Sequence, residues 1–197
     1  MRRDVDLAHA SRLVNHGPTV LVGSAHGGRR NLMAAAWSMP VEFTPPRIAV
    51  VIDKATYTRE LVEASGAFSL SLPCPALADL TWTVGSVSGR DPAEDKFGRY
   101  AIDAFAGPVL GLPWIAGCVA WLECRVIPEP HAQRAYDTFF GEVLVAQADA
   151  RVFDAGRWTM TADNAALHTI HHLGAGRFVP AGPMLQANRL GPRGPAR

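Results

Sequence analysis

Short apolar runs broken by turn-forming residues dominate the chain, and their spacing predicts strands more often than helices. Residues 19–25 are β-branched and apolar and run into His26-Gly27-Gly28, which predicts a first strand and a hairpin, with the return strand over 31–39. Turns through Pro40 and Pro45-Pro46 follow, and 47–52 is then apolar almost throughout, as in a strand covered on both faces. Phe68, Leu70 and Leu72 alternate with Ser69 and Ser71, the pattern of a half-buried strand. Residues 115–127 and the run TFFGEVLVAQA (138–148) are longer, and two long strands joined by the loop 128–137 pair best as antiparallel neighbours.

Helical spacing is confined to short pieces. Leu7, Ala10, Leu13 and Val14 share one face over 6–15, which predicts an amphipathic helix on the exterior of a barrel. Thr56 caps a second helix that runs to about Ser65, with Tyr57, Leu61 and Ala64 on one face and Gly66 to end it. Pro75 opens a third, with Leu77, Leu80 and Val84 at helical spacing and an end near Gly85. Between 86 and 113 the texture changes to Gly, Pro and charge around SGRDPAEDKF (88–97), the mark of a long surface excursion. Past Asp149 come a short strand at 151–153, a short helix near 163–168 and the sequence HHLGAGRF (171–178). Strands outnumber helices and hairpin-like connections prevail, so a single mainly β domain over 1–188 is expected, a barrel with peripheral helices, followed by a mobile basic tail at 189–197.

Composition narrows the function. With 48% hydrophobic and 19% charged residues and a net charge of +1, the 197-residue chain lacks the basic bias of a nucleic-acid or anionic-membrane partner. The N-terminus carries no apolar leader and no run is long enough to span a membrane, so a cytoplasmic location is expected. Three cysteines without C-x-x-C spacing argue against a disulfide framework or a zinc site, and Cys118 and Cys124 fall on one apolar face as packing residues. His168, His171 and His172 cluster but have no cysteine or paired carboxylate near them in sequence, so no metal is expected. Neither a dinucleotide-binding glycine fingerprint nor a phosphate-loop lysine pattern occurs. One stretch does suit an anion: Lys54, Thr56, Thr58 and Arg59 stand at a helix start, where free N–H groups and the helix dipole favour negative charge. Ordinary capping by Thr56 amid solvated bases explains the same residues.

Several segments, taken in order, resemble the flavin reductase-like family, which shares the FMN-binding split barrel. They are NLMAAAW (31–37), PVEFTPP (40–46), TYTREL (56–61), SGR (88–90) with DKF (95–97), LECR (122–125), GEV (141–143), and HLG (172–174) with Phe178. They span roughly 15–182, and the flavoredoxin-like branch is the nearest match. The resemblance implies a six-stranded antiparallel split β-barrel, a homodimer, and non-covalently bound FMN near the subunit interface, reduced by NAD(P)H. It implies ring-edge contacts from Asn31, Met33, Ala34, Ala35, Ala36 and Trp37, and phosphate contacts from Lys54, Thr56 and Thr58. Ser88, Gly89, Arg90, Lys96 and Phe97 complete the flavin site, and His172 is the residue for the reacting face. Ion pairs of Arg90 and Lys96 with Asp91, Glu94 or Asp95 are the plain alternative for that loop. The chain departs from the family in its Ala34-Ala35-Ala36 run, where Thr or Ser is common, which leaves only backbone contacts there. The expected activity is NAD(P)H:flavin oxidoreduction, serving an electron-accepting protein or a flavin-dependent monooxygenase. The alternatives are a flavin-binding electron carrier without its own nicotinamide site, or a barrel that holds another cofactor.

Overall fold

The structure, a computed structural model, describes residues 2–14, 17–90 and 95–190. Among the described residues the main sheet has eight strands where six were expected. The six are β2 (Val20–His26), β3 (Arg29–Ala35), β5 (Pro46–Val51), β6 (Ala67–Leu72), β9 (Ala120–Ile127) and β10 (Thr138–Asp149). The two additions are β1 (Arg2–Asp4) and β4 (Ser38–Phe43). All pair antiparallel in the order β3-β2-β6-β9-β10-β5-β4, with β1 on β10. The end strands β3 and β4 are consecutive in the chain, separated only by Ala36 and Trp37, so the sheet rolls until its two ends meet. That is the split barrel.

Strand alternation divides the apolar residues between two cores. Val20, Val22, Ile48, Val50, Phe68, Leu70, Leu122 and Phe139 point inward and fill the barrel. Leu21 and Leu32 point outward into a second core with Val84, Phe97, Ile102, Trp114, Ile115 and Trp121. Gly141 belongs to the first core rather than to a site, because a Cβ there would stand 2.6 Å from the Phe68 ring. The helix predicted at 6–15 is α1 (Leu7–Ala10) continued as a 3-10 turn over Ser11–Leu13. Its Ala10, Leu13 and Val14 are buried in the interior core, so it closes the barrel instead of lying on its exterior; Asn15, the last residue predicted for it, lies outside the described residues.

The strand expected to be half-buried is buried on both sides, since all six residues of β6 are buried. Its outer face is covered by the hairpin of β7 (Ala104–Ala106) and β8 (Pro113–Ile115): Ser69 Oγ donates to Pro113 O at 2.7 Å and Ser71 Oγ accepts from Ile115 N at 3.2 Å. The buried carboxylate of Glu123 holds the same segment, accepting from the N–H groups of Val109, Leu110 and Leu112 at 2.8 to 3.1 Å. Much of the expected surface excursion is therefore a second layer, although 91–94 lie outside the described residues. The strand predicted at 115–127 is split for the same reason, Ile115 pairing in β8 and β9 beginning at Ala120.

The helices that frame the site follow their sequence signals. In α2 (Tyr57–Ser65), Thr56 Oγ1 accepts from Arg59 N at 3.3 Å, and Gly66 ends the helix at φ 69°. A 3-10 turn at Pro75–Leu77 leads into α3 (Ala78–Ser86), and α4 (Lys96–Arg99) follows. The predicted loop 128–137 is instead mostly α5 (Pro130–Tyr136), opened by Pro130 at its first turn. Beyond β10 come the two-residue strands β11 (Phe153–Asp154) and β12 (Arg157–Trp158), displaced from the strand expected at 151–153, and a 3-10 segment at Ala162–Leu167. HHLGAGRF forms the hairpin of β13 (Ile170–Gly174) and β14 (Arg177–Pro180). Among the described residues no helix is long and apolar enough to cross a membrane.

Candidate functional site

Three pieces distant in sequence meet beside β3. The start of α2, the segment 84–90 and Lys96 enclose a cavity of about 200 Å³ with Asn31 and Met33 on its floor. Of the residues singled out from the sequence, Asn31, Met33, Thr56, Thr58, Ser88, Gly89, Arg90 and Lys96 all line it. Thr58 is fully buried, and its Oγ1 accepts from Asn31 Nδ2 at 2.9 Å, which fixes the amide. That leaves Asn31 Oδ1 buried without a hydrogen-bond partner among the described residues. A buried carbonyl oxygen in that state calls for a donor. Gly89 presses against the same amide: an ideal Cβ on it would lie 2.0 Å from Asn31 Oδ1.

Lys96 is the cation inside this cavity. It is 4% exposed, and its Nζ donates to Leu32 O and Val84 O, both at 2.8 Å. An ammonium has three N–H donors, so one remains without an acceptor among the described residues. Desolvation lowers its pKa to about 8. The Leu32 carbonyl reaches Lys96 because β3 is an end strand of the sheet. By alternation, the N–H and C=O of Ala34 turn toward the same unpaired edge.

A smaller cavity of about 110 Å³ continues along that edge, lined by Thr19, Ala34, Ala36, Thr81, Trp82, Gly85, His172 and Phe178. Gly85 lines both cavities, and its close approach to Ala34, 3.1 Å for an added Cβ, brings α3 onto β3. The His172 ring lies 5.8 Å from that of Trp82 and 5.1 Å from that of Phe178. Its backbone N–H donates to Thr19 Oγ1 at 2.9 Å, whereas its Nε2 is buried without a partner among the described residues. Sequence reasoning missed Tyr57, Thr81, Trp82 and Thr19. For Trp82 a signal existed, an aromatic residue off the apolar stripe of Leu77, Leu80 and Val84.

Other expected site residues fall elsewhere. Lys54 is exposed and lines neither cavity. Ala35 points into the interior core, so the alanine run serves two faces. Trp37 is 74% exposed and outside both cavities. Phe97 is buried in the outer core under the Arg30 guanidinium, 4.2 Å from its ring centroid. Arg59 turns away from the site, donating to Glu63 Oε1 at 2.8 Å, Asp137 Oδ1 at 2.5 Å and Gln133 O at 2.7 Å. Arg90 stands at the rim, but it pairs with Glu60, and Asp95 pairs with Arg30. Of the ion pairs expected within the loop, the one with Asp95 is replaced by its pair to Arg30, while Asp91 and Glu94 lie outside the described residues.

The other groups weighed from the sequence are engaged in packing or local bonds. His168 sits with Nδ1 2.7 Å from Ala181 O and Nε2 2.9 Å from Asn164 Oδ1. Cys118 and Cys124 are buried, and burial pushes both thiols up, away from the reactive thiolate.

Comparison with known proteins matches this architecture. A family model described as flavin reductase like domain covers residues 12–169, and the chain belongs to that family. An uncharacterized protein of Escherichia coli (strain K12), YddH, is 57% identical over 93% of this chain and 96% of its own length. The crystal structure of an FMN-binding domain of a flavin reductases-like enzyme from Shewanella baltica OS155 superposes with a TM-score of 0.90. It is 43% identical and covers 95% of this chain and 98% of its own. The flavoredoxin of Desulfovibrio vulgaris (Miyazaki F) has a TM-score of 0.73 at 26% identity, covering 87% and 90% of the two chains.

Proposed function

We propose that this protein is an FMN-binding oxidoreductase of the flavin reductase type, holding FMN non-covalently along the free edge of β3 and drawing electrons from NAD(P)H. The observation that carries this reading is the meeting of two unlike cavities at Gly85, one suited to an anion and the other walled by Trp82, His172 and Phe178. A phosphate-bearing molecule with a flat ring fits both ends. At the anion end the amides of the first α2 turn, the Ser88 hydroxyl and the remaining Lys96 N–H would hold the phosphate. Asn31 Oδ1 would accept from the ring edge, and the Ala34 backbone would complete that contact without an intervening side chain. Bound FMN would supply the redox chemistry, accepting hydride from a reduced nicotinamide and passing electrons on. Trp82 and Phe178 would exclude water, and His172 Nε2 would offer a hydrogen bond at the ring end. A cytoplasmic protein acceptor or monooxygenase would take the electrons.

The purified protein should show visible flavin absorbance, and anaerobic stopped-flow mixing with NADH or NADPH should bleach it. Bleaching by a reduced protein donor, with neither nucleotide effective, would establish the electron-carrier reading instead. Absence of flavin absorbance together with no uptake of added FMN would defeat both.

We also infer a homodimer. Met39, Val41 and Phe43 are 58%, 41% and 72% exposed along the end strand β4, which begins directly after Trp37 and carries a bulge between Pro40 and Glu42. Such an apolar row on an unpaired strand edge is a surface that monomers avoid. A second copy is the favoured occupant because Trp37 adjoins Ala36, which lines the ring cavity, so dimerisation would complete the site. Light scattering should give a dimer for the wild type and a monomer for Phe43→Asp with Met39→Asp; a monomeric wild type would remove this inference.

A further inference from the structure

We propose that Glu60 is a positioning residue for the anion end of the site: through Arg90 it latches the loop 88–90 onto the first turn of α2. Arg90 is then the latch and not a ligand of the anion. The inference rests on the flavin-binding reading and deepens it. In sequence, Ser88-Gly89-Arg90 presents Arg90 as a phosphate ligand, because a guanidinium forks naturally onto phosphate oxygens. In the structure three of its five N–H groups, one on every nitrogen, are already engaged. Nε and Nη2 donate to Glu60 Oε1 at 3.1 and 2.5 Å, and Nη1 donates to Ala55 O at 2.7 Å. Each of the three nitrogens has a protein acceptor, and the two acceptors flank the helix start.

The loop is thus held from two directions. On one side Gly89 rests on the Asn31 amide, which is itself fixed by Thr58. On the other, Arg90 ties the loop to Ala55 and Glu60, while its own N–H donates to Ser88 Oγ at 3.3 Å. Glu60 also suits the first turn electrostatically, where the helix dipole is positive. With the loop fixed in advance, less ordering remains when an anion arrives, and pre-organisation appears as affinity. The pair is 46% and 54% exposed, so it contributes little to global stability. Binding and folding can therefore be separated experimentally.

The test uses the full-length protein stripped of flavin and titrated with FMN, with hydrogen exchange of amides 86–90 measured on the flavin-free protein. Glu60→Ala and Arg90→Ala should each weaken FMN binding about three- to tenfold through faster dissociation and raise exchange of 86–90 similarly, with unchanged melting temperatures. The double variant should be no worse than Arg90→Ala, and Glu60→Gln, which keeps the acceptor oxygen without its charge, should restore part of the affinity. Tighter or unchanged binding in Glu60→Ala, with loss confined to Arg90→Ala, would show Arg90 to be a direct ligand and overturn the latch. So would additive losses. A wild type with no FMN affinity would overturn the flavin reading, and unchanged exchange in Glu60→Ala would then overturn the latch separately.

Discussion

FMN affinity should fall about tenfold between pH 7 and pH 9 and about a hundredfold between pH 7 and pH 10, and this slope should vanish in Lys96→Met. The reasoning starts from the buried Nζ. Two of its N–H groups are spent on Leu32 O and Val84 O, and the third is available to a ligand anion. Desolvation brings the free protein's Lys96 pKa down to about 8, so above that pH the anion must first restore a proton. Binding then takes up one proton, and each pH unit weakens it by about 1.4 kcal/mol. Its neighbour Asp95 does not interfere: desolvation alone would raise that carboxyl, but hydrogen bonds from Arg30 and Gly98 hold it net below its usual range, so it is already ionised. Folding has the opposite sign. Between about pH 8 and the ordinary lysine value the unfolded chain binds more protons than the folded one, so the flavin-free protein should gain stability with rising pH in that window. Thermal melts beside FMN titrations from pH 7 to 10 check both signs. Lys96→Met should bind at pH 7 as weakly as the wild type does at pH 10. A pH slope of equal size in that variant would assign the proton to another group.

The six strands of the barrel were legible because burial imposes a period on them: Val20 and Val22 inward with Leu21 outward, and Phe68, Leu70 and Leu72 inward. The two strands that escaped notice lack that constraint. β1 is Arg-Arg-Asp, exposed throughout, and is held by backbone pairing to β10. β4 contains Pro40, which argues against an interior strand but is tolerated at an edge, where no second neighbour needs its missing N–H. Ser69 and Ser71 looked solvent-facing because polarity does not reveal that the β7–β8 hairpin caps them with hydrogen bonds.

In the site, residue type identified the right segments but not the direction of each side chain. Thr58 and Arg59 are adjacent at a helix start, yet the helical twist sends Thr58 to Asn31 and Arg59 to Asp137. Arg90 and Glu60 are thirty positions apart, and nothing local links them. Trp82 and His172 meet only because α3 and the β13–β14 hairpin converge on the edge of β3. Pattern reports a side chain's own face, whereas a ligand site depends on which faces meet.

Gly89→Ala should abolish measurable FMN binding, a loss of at least a hundredfold or about 2.7 kcal/mol, while the protein remains folded. The position is decided by space and not by backbone freedom. An added Cβ would fall 2.0 Å from Asn31 Oδ1 and 2.7 Å from its Cγ, far inside contact distance. Asn31 is 2% exposed and donates to Thr58 Oγ1, so it can yield only by breaking that bond. Breaking it is worth about 1 kcal/mol in stability, small beside a domain's total. The alternative is for the loop to lift, which removes Ser88 and the Gly89 backbone from the cavity and opposes the hold of Arg90 on Ala55 and Glu60. Either response dismantles the anion end while leaving both cores intact. The companion variant separates the two routes. If the clash with the amide is the cause, Asn31→Ala with Gly89→Ala should bind FMN no worse than Asn31→Ala alone, because the shortened side chain makes room for the methyl group. Wild-type affinity in Gly89→Ala, or a double variant much weaker than Asn31→Ala, would show that the loop does not rest on Asn31 when ligand is bound.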